Sequence, residues 1–148
     1  MFHPIDLRAL IFQRLAEAED AVGTYLRPFR LFVDETNKLA HFSQPRGFAF
    51  VESDGTQASL TVAGKMFKLD KHNFDAIVRH EIGHVVDFLV PDAKLRRLFG
   101  PGLHGAQAPE RRADDIAEAI WGDRIQYDRN DVQTLRPGTW PRPLRLGL

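Results

Sequence analysis

Residues 73–90 read NFDAIVRHEIGHVVDFLV. Phe74, Ile77, Val78, Ile82, Val85, Val86 and Leu89 recur at intervals of three and four, the spacing of a helix. Apolar positions run round much of its circumference, so this helix is expected to be central and largely buried. Pro91 lies just beyond it and would stop it. Within the stretch, His80-Glu81-Ile82-Gly83-His84 follows the pattern HExxH. At 3.6 residues per turn the two histidines stand one above the other on a single face. Glu81 leaves from the adjacent edge of that face.

Two imidazoles placed in this way can reach one Zn²⁺ at about 2.0–2.1 Å. Glu81, beside the ion without ligating it, can take a proton from a water that zinc activates. It would position that water's attack on a carbonyl and pass the proton to the leaving nitrogen. The expected function is therefore that of a zinc metalloendopeptidase acting on a protein or peptide substrate. The alternative is a catalytically inactive or metal-stabilised domain that binds a protein partner. A catalytic zinc takes three protein ligands and keeps one position open. The metzincin continuation HExxHxxGxxH is absent, because Asp87 and Val90 stand where its glycine and third histidine would be. The third ligand must come from another segment. Glu110-Arg111-Arg112-Ala113-Asp114 opens a second predicted helix 26 residues after His84, far enough for the chain to reverse.

HEIGHVVD at 80–87 followed by ERRAD at 110–114 resembles the gluzincins, in which a glutamate on a following helix completes HExxH. The form is similar to the ImmA/IrrE-type peptidases, the catalytic domain of anthrax lethal factor and the minimal single-domain gluzincins. The resemblance covers about Phe74 to Ala119 and is specific in HExxH. It implies a zincin-like fold, Zn²⁺ on His80, His84 and Glu110, and Glu81 as the base. Asp114 would then be an acceptor that orients a ligand histidine. A second register makes Asp114 the ligand and Glu118 the acceptor, following the wording Ala117-Glu118-Ala119. Glutamate is the usual ligand of the family, which favours Glu110. The acids left over are expected on a solvated helix face. Asp87, on the same side of the helix as His84, either bonds a ligand histidine or faces water. Gluzincins stabilise the tetrahedral oxyanion with a Tyr or His. No tyrosine lies between His84 and Glu110; His104 is the nearest candidate and Tyr127 the second. Zincins usually bind substrate as an added strand on a sheet edge. Either 58–62 or 48–52 would present that edge.

Outward from the motif, residues 5–22 carry an apolar stripe at helical spacing through Ile5, Leu7, Leu10, Ile11, Leu15 and Ala18. Residues 27–34 and 47–52 are rich in Phe and Val and read as strands. Ser53-Asp54-Gly55-Thr56 has turn chemistry, and 58–62 returns as the partner strand of a hairpin. Asp92 is placed to cap a short helix ending near Gly100. The fold expected is α+β: a small, twisted, mostly antiparallel sheet, an N-terminal helix, the motif helix and the glutamate helix. Residues 1–135 are expected to form a single domain. Residues 136–148, with three prolines and two glycines, read as a tail that could lie along the cleft.

The 148 residues suit one core. There are 20 basic and 20 acidic side chains, so charge gives no case for a nucleic-acid or anionic-membrane partner. The pairs Arg96-Arg97 and Arg111-Arg112 read as solvated helix faces. His3, His41 and His72 read as surface residues. The chain has no cysteine, which excludes disulfides and thiolate ligation. No signal peptide or transmembrane run is evident, so a cytoplasmic protein is the expectation. Nothing in the sequence sets the oligomeric state.

Overall fold

The computed structural model describes residues 4–34, 49–69, 71–100, 109–122, 125–128 and 131–134. The N-terminal helix α1 spans Pro4–Val22 and buries Ile11, Leu15, Ala18 and Val22, a face repeating every three or four residues. It ends at Gly23, whose φ of 64° is the left-handed conformation that glycine takes without steric cost.

Three strands follow: β1 (Phe29–Asp34), β2 (Ala49–Ser53) and β3 (Ala58–Ala63). The first begins only after Pro28, which has no backbone N–H to give to a ladder. The hairpin read from the sequence is present, with β2 and β3 antiparallel and Val51 opposite Leu60. Its turn is held by Asp54, whose carboxylate accepts from the backbone N–H of Thr56 (2.8 Å) and Gln57 (2.9 Å). Those bonds hold the Asp54 carboxyl down at about 2. Gly55 supplies the positive φ of 93° that the turn requires.

The sheet order is β1-β3-β2, and β1 runs parallel to β3. This corrects the expectation of a mostly antiparallel sheet: the three-stranded sheet is mixed. Hairpin chemistry fixes β2 against β3 locally, whereas β3 finds β1 across a longer connection that leaves no turn signature. Ala58, Leu60, Val62 and Ala63 of the middle strand are buried.

The motif helix α2 (Lys71–Leu89) lies across this core. Residues Ala76 to Val86 are all buried, and α2 packs against α1, β2, β3 and the later helix α4 (Pro109–Trp121). Between them, α3 spans Asp92–Phe99. Asp92 does not cap it: Pro91 occupies the cap position, and Asp92 is the first helical residue, accepting from Arg96 and Arg112. Two short antiparallel strands, β4 (Ile125–Asp128) and β5 (Asp131–Thr134), lie against α2 and α4 and were not foreseen. The expected tail at 136–148 lies outside the described residues.

A polar tie holds the three long helices together. Arg14 on α1 donates from Nε and Nη2 to the two oxygens of Asp75 on α2, both at 2.8 Å. Its Nη1 reaches Glu17 at 2.7 Å, and Trp121 at the end of α4 donates to the same Glu17 oxygen at 2.9 Å. No helix among the described residues is long and apolar enough to cross a membrane.

Candidate metal centre

Helix α2 supplies two imidazoles one turn apart. The rings of His80 and His84 meet edge to face, with centroids 4.8 Å apart. Both side chains are nearly or fully buried. Helix α4 brings the third group. Pro109 is its first residue, where a missing N–H costs nothing, and Glu110 follows in the first turn, where the helix dipole favours a carboxylate.

The approach of α4 depends on Gly83. A Cβ built there would lie 2.5 Å from the carbonyl oxygen of Ala113. Only glycine lets the two backbones come this close. Glycine within a helix costs about 1 kcal/mol against alanine, so the motif gives up helix propensity for proximity.

Glu110 lies against both histidines at once. His80 Nε2 is 2.8 Å from one carboxylate oxygen, and His84 Nε2 is 3.1 Å from the other. Among the described residues, His80, His84 and Glu110 form the one group of three able to hold a cation, with ligand atoms within 4.8 Å of one another. Asp114, one turn further along α4, accepts from His80 Nδ1 at 2.6 Å. That bond fixes the ring orientation and presents Nε2 to the shared space. The contacts thus follow the register with Glu110 in front and Asp114 behind, and not the one with Asp114 as ligand.

Charge within the cluster is strongly coupled. Burial opposes protonation of His80, but the hydrogen bonds to Asp114 and Glu110 outweigh it and push its pKa up to about 10. The two histidines hold the Glu110 carboxyl far below the usual range. Glu81 is 3% exposed, and burial pushes its carboxyl up. Its Oε2 and the Nδ1 of His84 find no partner among the described residues.

Two imidazole nitrogens and one carboxylate, converging from two helices, make a donor set suited to zinc with a side left open. The Glu110 carboxylate lies between the two rings. The open side is a cavity of about 200 Å³ that touches Glu81, His84 and Glu110. Its other walls are Ala49, Phe50 and Val51 of β2, Phe88 of α2, and Pro109. Of the two candidate edges, it is β2 that lies at the edge of the described sheet and borders this cavity; β3 is the middle strand. A wider hollow of about 560 Å³ beside the β2–β3 turn is lined by Arg30, Phe32 and Asp54 and lies apart from the histidines.

No family model, curated protein or solved structure matches this chain.

The reading of the centre thus rests on its geometry. Asp87 is only slightly exposed and pairs with an arginine, not with a histidine. Its carboxylate accepts from Arg112 Nε at 2.9 Å and from Nη2 at 2.8 Å. Arg112 also reaches Asp92 at 3.0 Å and is buried, contrary to the solvated face expected of Arg111-Arg112. Asp115 and Glu118 are buried too, not on a solvated face, and each has a partner. His72 is exposed, as expected. His104 lies outside the described residues, as does the side chain of Tyr127. Gly83 and Arg112 were missed as parts of the site. The interior glycine was a readable signal of close approach, whereas a buried arginine on a charged helix left none.

Proposed function

We propose that this chain is a zinc-dependent peptidase of the gluzincin type, acting on a protein or peptide substrate. The observation that carries the reading is the convergence of both Nε2 atoms on the two oxygens of Glu110, at 2.8 and 3.1 Å, with buried Glu81 beside them. His80, His84 and Glu110 would hold the ion, which supplies Lewis acidity towards a carbonyl and towards the attacking water. Asp114 keeps the His80 ring turned so that Nε2 faces the ion. Glu81 lines the open cavity, and its buried, raised carboxyl is poised to accept a proton from water and return it to the amide nitrogen that departs. The substrate backbone would lie along β2, the strand at the edge of the described sheet whose Ala49 and Val51 line the cavity.

The test uses zinc-loaded protein and a mixture of unstructured peptides followed by mass spectrometry. The wild type cleaves, and Glu81→Gln retains one zinc per chain but loses at least a hundredfold in rate. A second reading is a metal-stabilised domain that binds a protein partner. It is favoured by the cavity walls, which among the described residues offer no hydroxyl, and no imidazole besides His84. Equal behaviour of the wild type and Glu81→Gln on every peptide would support that second reading and overturn the first.

A further inference from the structure

Phe88 stands out on α2. Every residue from Ala76 to Val86 is buried, yet Phe88 is 45% exposed. It stacks on His84, with ring centroids 6.0 Å apart and planes 18° from parallel. It also forms one wall of the 200 Å³ cavity, with Val51 and Phe50 of β2 and Pro109 of α4. Among the described residues, the carboxylates lining that cavity are Glu81 and Glu110. His80, His84 and Glu110 would hold a divalent cation, which would offset both carboxylates, and the other described wall residues, Ala49, Phe50, Val51, Phe88 and Pro109, are apolar. A neutral apolar side chain can enter such a space without desolvating a charge, whereas an acidic or basic one would have to.

Resting on the peptidase reading of the same centre, we infer that Phe88 is a specificity-determining residue. With Val51, Phe50 and Pro109 it selects substrates that carry a bulky apolar or aromatic residue next to the bond being cut. Ring-on-ring contact with Phe88 favours aromatic side chains in particular.

The probes are amino-acid hydroxamates, which chelate zinc through the hydroxamate and present a chosen side chain. Their affinities for zinc-loaded protein are measured by calorimetry after metal content has been verified in each variant. Phenylalanine and leucine hydroxamates should bind at least tenfold more tightly than those of glycine, aspartate and lysine. Phe88→Ser should shrink that margin to under threefold, and Phe88→Glu should turn the preference towards lysine hydroxamate. Equal affinities across the series, or an aromatic preference unchanged in Phe88→Ser, would overturn the inference. Its failure is distinct from failure of the peptidase reading. Cleavage of peptides without regard to side chain sinks the pocket alone. Aromatic preference in a zinc-loaded protein that cuts nothing sinks the peptidase alone.

Discussion

At the scale of single residues, the centre is a set of charges that depend on one another. His80 is held protonated by Asp114 and Glu110, with its pKa at about 10. In the unfolded chain an imidazole titrates near 6.5. A folded pKa above the unfolded one gives stability that is complete below about 6.5 and lost as pH rises through about 10. The raised Glu81 carboxyl acts in the same direction, because its ionised form is disfavoured in the fold. Metal-free protein should therefore lose stability steadily from pH 7 to pH 10 in urea titrations. Zinc uptake must displace the His80 proton, so calorimetry in buffers of different ionisation enthalpy should show about one proton released per ion at pH 7. A flat stability profile with no proton release would contradict the charge assignment. Gly83 is the other decisive residue. Gly83→Ala gains about 1 kcal/mol of helix propensity but overpacks against Ala113, at a cost of about 1–3 kcal/mol. Because the obstacle is backbone, α4 must shift and carry Glu110 with it. The expected outcome is zinc affinity weakened at least tenfold, out of proportion to any change in melting temperature.

At the scale of elements, the centre exists because α4 docks on α2 in one register. Glycine packing sets how close the helices lie, and Arg112 sets their alignment. Its guanidinium spans from Asp87 near the end of α2 to Asp92 at the start of α3. Asp87→Ala would leave a buried cation with one partner in place of two. Breaking such a pair typically costs about 3–5 kcal/mol. Since Asp92 remains, about 3 kcal/mol of unfolding free energy should be lost in urea titration, together with weaker zinc binding. A loss under 0.5 kcal/mol would mean that the clamp is not what aligns α4. The Arg112 clamp was not legible in the sequence. Asp87 was readable as lying on the side of His84, but its partner sits 25 residues away on another helix. Local periodicity carries no information about that distance. By contrast, α1, α2, α3, α4 and the β2–β3 hairpin could be read within a few residues of their ends. Each is specified by its own apolar spacing, prolines and turn residues.

At the scale of the whole molecule, what escaped the sequence was long-range pairing. The parallel partnership of β1 with β3 and the short strands β4 and β5 depend on neighbours distant in the chain. The site divides in the same way. HExxH could be read because both histidines and the base lie within one helix turn. The choice between Glu110 and Asp114 required the docking of a second helix. Phe88 was not singled out in the sequence; its exposure and its place in the cavity wall come only from the fold. Helices α1, α2 and α4 are tied through Arg14, Asp75, Glu17 and Trp121, none of which is among the residues that line the cavity.

Helices α2 and α4 would present His80, His84 and Glu110 to one metal ion. The most direct measurement is zinc content by plasma mass spectrometry after exhaustive dialysis, for the wild type and for His80→Ala, His84→Ala and Glu110→Ala. The expected result is one ion per chain in the wild type, none in either histidine variant and a marked loss in Glu110→Ala. A wild type that keeps no zinc, or a His80→Ala variant that keeps as much as the wild type, would contradict it.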